Sequence, residues 1–160
     1  MFYLIGIGLK PSHLTLEAIA AIKDCEEVYL EKYTSQYVEG ENSELEEIIG
    51  KKVTIINRNE VEVDFEEKFK ENKNIALLIF GNALTATTHI QLLLDAKEAN
   101  LDYKVIPGIS VTNTVAESGL DEYKFGRTIT VCYHVPNFEP ESFYDQIKEN
   151  QKFLNYLKRF

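Results

Sequence analysis

Short apolar runs that break into turns of small residues, each followed by a stretch of helical periodicity, recur along this 160-residue chain. Residues 2–7 form a continuous apolar run ended by Gly6 and Gly8, the pattern of a strand buried on both faces. From Leu14 the period changes: Leu14, Ile19 and Ile22 share a helical face, with Thr15 and Glu17 near its start. Residues 28–30 read as a second strand leading into a polar, tyrosine-rich segment. Residues 43–49 predict a helix capped by Ser43, with Glu46 three positions on and Gly50 as its stop. Residues 53–56 read as a strand and residues 65–70 as a short helix.

The run 75–80 is the most apolar of the chain and predicts a central strand. An amphipathic helix follows over 89–99, then a strand over 103–106 and a helix over 111–118 closed by Gly119. Strands that alternate with helices in this way predict an α/β fold, a parallel sheet flanked by helices. The alternation stops near Leu120. A linker over 121–127, a β-prone run over 128–133 and a terminal helix over 142–157 follow the α/β domain at 1–120; either they pack back onto it, or 121–160 is the incomplete start of a second α/β domain. One strand and one helix leave Phe143, Phe153, Leu154, Leu157 and Phe160 poorly covered, which points to self-association or a partner.

Composition narrows the function classes. A formal charge of -9 disfavours direct nucleic-acid binding, because the phosphates would meet repulsion over most of the surface. The two cysteines, Cys25 and Cys132, lack metal-ligand spacing and read as reduced structural thiols, and no metal is expected. Met1 runs straight into the first strand without a charged-then-apolar leader, and no apolar stretch reaches membrane-spanning length, so the expected compartment is the cytoplasm.

The chemistry is expected on three turns: Gly6-Ile7-Gly8-Leu9, residues 81–89, and Pro107-Gly108-Ile109-Ser110. Each follows a strand, so parallel strands would set all three along the carboxyl edge where open α/β sheets bind ligands. The first is not a dinucleotide fingerprint, since the third glycine position is Pro11. The second supplies Asn82, Thr85, Thr87 and Thr88, more polar groups than core packing needs, although one of the last two is expected to cap the following helix. His89 reads as a packing or helix-start residue. In the third, Ser110 is placed as a helix N-cap whose neighbouring amides could also hold a carboxylate. No nucleophile elbow, catalytic triad or Walker loop is present, and no catalytic residue is assigned.

With those loops in view the chain resembles the diphthine synthases of the tetrapyrrole-methylase-like superfamily. The resemblance rests on residues 1–9 with Leu14-Thr15 and on Val28-Tyr29-Leu30-Glu31-Lys32-Tyr33-Thr34-Ser35. It continues in Ala86-Thr87-Thr88-His89, Tyr123-Lys124-Phe125-Gly126-Arg127-Thr128 and Ser142-Phe143-Tyr144-Asp145. It implies a dimeric, S-adenosylmethionine-dependent methyltransferase acting on a modified histidine of translation elongation factor 2 in diphthamide biosynthesis. Carried over by position, the S-adenosyl-L-methionine contacts would be Leu9, Asn82, Thr85, Ser110 and Val111.

The chain also departs from that pattern. The glycine-rich opening usual in the superfamily is here Gly6-Ile7-Gly8-Leu9-Lys10-Pro11-Ser12-His13, and the usual Gly-Asp-Pro loop is Gly81-Asn82-Ala83. Asn82 lacks the carboxylate that could pair with a cationic donor. The resemblance implies a second domain with further donor contacts; if the chain is a diphthine synthase or half of one, that wall of the cleft comes from another polypeptide, and the expected partner is a second copy, as in the dimeric family, or a complementing second-domain polypeptide. Two classes stay open at this point: a diphthine synthase or half of one, and a truncated or degenerate methylase-like protein that binds a ligand or partner without activity of its own.

Overall fold

A computed structural model of the chain describes residues 1–71, 73–129, 131 and 139–157. Among these, five strands form one sheet in the order β3-β2-β4-β1-β5: β1 (Phe2–Gly6), β2 (Glu27–Glu31), β3 (Thr54–Ile56), β4 (Ile75–Ile79) and β5 (Tyr103–Ile106). Every pairing is parallel, with Phe2 opposite Ile75 on one side and Tyr103 on the other. The fold class is the expected one. The most apolar strand, β4, sits in the middle and is buried along its whole length.

Side chains alternate across the sheet, and both faces are covered. On one face Ile5, Ile7, Ala76, Leu78 and Phe80 pack against α1 (Leu16–Lys23) and α2 (Asn42–Ile49). On the other, Phe2, Leu4, Ile75, Leu77 and Ile79 pack against α3 (Arg58–Glu62), α4 (Glu66–Phe69) and α5 (Ile90–Glu98). Phe2, Phe65 and Phe69 form a triangle of rings with centroids 5.1 to 5.7 Å apart, a spacing that adds aromatic attraction to the buried area.

Local signals set the helix ends. Thr15 is the N-cap of α1, its side chain accepting from Ala18 N at 3.1 Å. At the other end Lys51 Nζ donates to the carbonyls of Ile22 at 3.0 Å and Lys23 at 2.7 Å, a cation against the negative end of the helix. The cap of α2 differs from the expected one. Glu41, not Ser43, starts the helix, and Glu44 completes the capping box, because Glu44 rather than Glu46 reaches back to the Glu41 amide. Helix α3 was not expected, since five residues are too few to show a period; Asn57 caps it with Glu60 in a second box. Cys25 is buried, and burial pushes its thiol up to about 11, which makes it inert.

Helix α6 (Val111–Thr114) is followed by a 3-10 turn, Val115–Ser118, so the helix expected over 111–118 is split in two. Met1–Thr114 and Val115–Phe160 are two compact units. The second carries α7 (Ser142–Leu157), where Asn150 Nδ2 donates to Arg127 O at 3.1 Å. Most of the β-prone run 128–133 lies outside the described residues, as does Cys132. Phe143 is half-buried on α7, while Phe160 and the side chains of Phe153, Leu154 and Leu157 lie outside the description. No helix among the described residues is long and apolar enough to cross a membrane.

The strand ends that carry the three turns touch through backbone. A Cβ added to Gly6 would sit 2.5 Å from Gly108 N and 2.7 Å from Gly81 O, and one added to Gly108 would sit 2.5 Å from the Gly6 carbonyl carbon. Neither obstacle is a flexible side chain that could swing away. Gly108→Ala is therefore expected to lower stability by about 3 kcal/mol, the upper end of overpacking effects. Gly50→Ala is the control: its φ is +68° but nothing lies within 4 Å of the new methyl. It should lose only about 1 kcal/mol. Urea midpoints of the two variants give the comparison, and equal losses would contradict the close-approach account.

Candidate functional site

Parallel strands deliver their carboxyl-end loops to one edge, and β4, β1 and β5 are consecutive in the sheet, so the three turns are neighbours. Gly8 and Gly81 bridge the first two, Gly8 N donating to Gly81 O at 3.1 Å and Gly81 N to Gly8 O at 2.8 Å. Asn82 extends the connection to the third: its Nδ2 donates to Gly108 O at 3.3 Å while its Oδ1 accepts from Leu84 N at 3.0 Å. The bond to Gly108 O is one that a carboxylate at this position could not donate.

Ser110 is buried, and its hydroxyl oxygen accepts from Thr112 Oγ1 at 3.1 Å and Thr112 N at 3.4 Å. Asn113 Oδ1 returns the contact by accepting from Ser110 N at 3.3 Å, so Ser110 and Asn113 fix the start of α6. Leu9 is half-buried and held at both backbone groups, its N donating to His13 Nδ1 at 3.3 Å and its O accepting from Val38 N at 2.9 Å. Thr85 is exposed, and Val111 is 62% exposed. Four of the five candidate residues, Leu9, Asn82, Thr85 and Ser110, stand on the three connected turns, and Val111 opens α6 directly after the third, all within Met1–Thr114.

The loop after β4 is anchored from an unexpected direction. Neither Thr87 nor Thr88 caps α5 with its side chain; the N-cap is His89, which makes no side-chain cap bond. Thr87 Oγ1 instead donates to Ala83 O at 2.7 Å, and His89 Nδ1 lies 3.3 Å from the same oxygen. His89 Nε2 faces Glu31 Oε2 at 3.5 Å, both side chains essentially fully buried. Glu31, the last residue of β2, accepts from Tyr33 N at 2.8 Å, Thr34 N at 2.7 Å and Thr34 Oγ1 at 2.7 Å. A carboxylate that ends an apolar strand and is followed three residues later by threonine was the available signal, and periodicity alone does not register it.

A cavity of about 250 Å³ opens between α3 and α5, with Glu62, Thr88, His89 and Asp95 in its wall. Another of about 330 Å³ is lined by Lys32, Tyr37, Ser43 and Phe80 among others. Neither wall includes the five candidate residues, and the exposure of Thr85 and Val111 marks their edge as open. Among the described residues no group of three or more His, Cys, Asp or Glu is placed to hold a metal ion.

Comparison with known proteins fits this geometry. The profile of the tetrapyrrole (corrin/porphyrin) methylases matches residues 1–159. The chain belongs to the tetrapyrrole methylase family. Within it, similarity runs to proteins named diphthine methyl ester synthase. The one from Kluyveromyces lactis is 42% identical over 155 residues, 95% of this chain and 52% of that protein. The human one is 37% identical over 155 residues, 95% of this chain and 54% of that protein. A solved diphthine synthase structure superposes with a TM-score of 0.82 at 28% identity, covering 96% of this chain and 61% of that one. The resemblance read from the sequence is thereby borne out, and the chain spans about half the length of the curated relatives it matches.

Burial holds the His89 imidazole below its ordinary value, against the pull of Glu31 on β2, the Ala83 carbonyl and Glu62 on α3. The unfolded chain then binds the extra proton more readily than the folded one. Stability contributed by neutral His89 is therefore complete above the unfolded value, about 6.5, and declines as pH falls from there toward the depressed folded value. His89→Gln should flatten the stability profile below about pH 6.5 in urea unfolding, relative to the parent. An unchanged slope would mean that the ring is not held neutral.

Proposed function

We propose that this chain supplies the donor-binding loops of an S-adenosyl-L-methionine-dependent methyltransferase of the diphthine synthase type. Its acceptor is the modified histidine of translation elongation factor 2, in diphthamide biosynthesis. The observation that carries this reading is the backbone contact of Gly6, Gly81 and Gly108, which aligns Leu9, Asn82, Thr85, Ser110 and Val111 on one edge of the sheet. The names of the relatives support the methyl-transfer chemistry. Residues 1–120 form the methylase domain, residues 121–160 begin the second, the working form is a dimer or a complex with a complementing polypeptide, and the compartment is the cytoplasm.

The residues present suit such a donor. Methyl transfer from a sulfonium needs alignment and exclusion of water rather than a strong base, and the group itself supplies the electrophilic methyl. Leu9 and Val111 offer apolar surface, Ser110 keeps a hydroxyl proton to donate, and Thr85 offers a second hydroxyl. The Asn82 amide holds the second and third turns in register through Gly108. Fixed backbone at all three turns limits the reorganisation required on binding.

These contacts embrace one side of the donor, so the 160-residue chain alone is expected to bind it weakly, because ligand pockets normally bury most of the ligand. Titration calorimetry with S-adenosyl-L-methionine tests this. Asn82→Asp should tighten binding about threefold to tenfold, since a charge-assisted contact is about twice as strong as a neutral one. The same change should lower stability by about 1 kcal/mol through the lost bond to Gly108. Ser110→Ala should weaken binding. Heats indistinguishable from dilution for parent and Asn82→Asp alike would remove the donor from these loops.

A further inference from the structure

The buried pair Glu31 and His89 lies outside the five candidate donor contacts, yet it grips the loop that carries two of them. Glu31 is locked at the end of β2 by three hydrogen bonds from Tyr33 and Thr34, so its carboxylate is a fixed post. His89 stands against that post with Nε2 at 3.5 Å and turns Nδ1 toward Ala83 O at 3.3 Å. Ala83 is itself fully buried, directly after Asn82 and two residues before Thr85. Its carbonyl also accepts from Thr87 Oγ1 at 2.7 Å. Two side chains from the far end of the loop thus converge on one oxygen at its near end, and the loop is closed upon itself.

We infer that His89 is a positioning residue: braced by Glu31 and joined by Thr87 at the Ala83 carbonyl, it sets the conformation of residues 82–88 and so presents Asn82 and Thr85 to the methyl donor. The part that concerns the donor rests on the function proposed above; the part that concerns the loop does not. Three considerations support it. The ring sits where a helix cap would be expected and makes no cap bond, so its polar atoms serve the loop and not α5. Its one hydrogen-bonding contact is Nδ1 to Ala83 O, while Nε2 rests 3.5 Å from Glu31 Oε2 without a hydrogen bond, so the polar contact the ring makes is with the loop and the Glu31 carboxylate limits its position from the other side. Ala86, in the middle of the loop, has φ of +56°, a left-handed conformation that needs surrounding contacts to persist.

Amide hydrogen exchange followed by NMR, combined with donor titration on the full 160-residue chain, tests the inference. The variants are His89→Gln, Glu31→Gln and Thr87→Val; the last removes one bond to Ala83 O from a half-buried hydroxyl and keeps the fold measurable if the buried changes do not. The Leu84 amide, which donates to Asn82 Oδ1, and the Thr85 amide, which donates to Asn82 O, should exchange about three- to tenfold faster in each folded variant, the loss of a single net hydrogen bond. Amides in β1 and β4 should stay within about twofold, which separates loop positioning from general destabilisation. Donor affinity should fall by a similar factor in Thr87→Val, and His89→Asn, which can offer a donor near the Nδ1 position, should recover part of the loop protection. Unchanged Leu84 and Thr85 exchange, or acceleration equal to that of the core strands, would overturn the inference. Faster loop exchange with no measurable donor binding by any form, the parent included, would keep the positioning role and contradict the donor assignment instead.

Discussion

Contact between Gly6, Gly81 and Gly108 is the constraint on which the site depends, because it lets the ends of β1, β4 and β5 converge without a side chain between them. Such an approach requires glycine at more than one strand end, and it requires strands that are adjacent and parallel. The apolar character of β1 and β4 satisfies the second requirement by burying both strands on both faces. Once the strands are fixed, the Gly8 to Gly81 bridge and the Asn82 bond to Gly108 join the turns into one surface. Site geometry is then a consequence of core packing, and the residues on it inherit the rigidity of the sheet.

A second layer of constraint comes from buried polar groups rather than from glycine. Glu31 and His89 are held in the protein interior, where Glu31 accepts from the loop beyond β2 and His89 Nδ1 meets Ala83 O on the loop beyond β4, while His89 Nε2 stands 3.5 Å from Glu31 without a hydrogen bond. Glycine contacts bring β4 to β1 and β5, whereas the Glu31 and His89 pair brings β4 to β2. The loop of residues 82–88 is consequently restrained from both flanks of its strand.

Much of the fold was legible in the sequence because burial writes itself as pattern. The runs at 2–7 and 75–80 announced two-sided strands, and β4 proved central and fully buried. Turns rich in glycine located the carboxyl edge, whereas Leu9, Asn82, Thr85, Ser110 and Val111 were singled out only by position through the family resemblance. Helix caps were less legible: Ser43 lost to Glu41, and His89 rather than a threonine starts α5, because several side chains compete for the same amides and only the chain's path decides among them. Helix α3 was too short to carry a period. The Glu31 and His89 contact joins residues 58 positions apart, which no local pattern encodes, although the segments holding them were among those that carried the family resemblance.

The central claim, that these three turns hold the methyl donor, is most directly tested by mapping amide chemical shifts of the isotopically labelled chain during titration with S-adenosyl-L-methionine. The account predicts shifts concentrated at Leu9, Asn82, Thr85, Ser110 and Val111 and their immediate neighbours, appearing together and saturating with one constant. Shifts that instead centre on Lys32, Tyr37 and Ser43, around the cavity beside α2, or on Glu62 and Asp95 between α3 and α5, would contradict it.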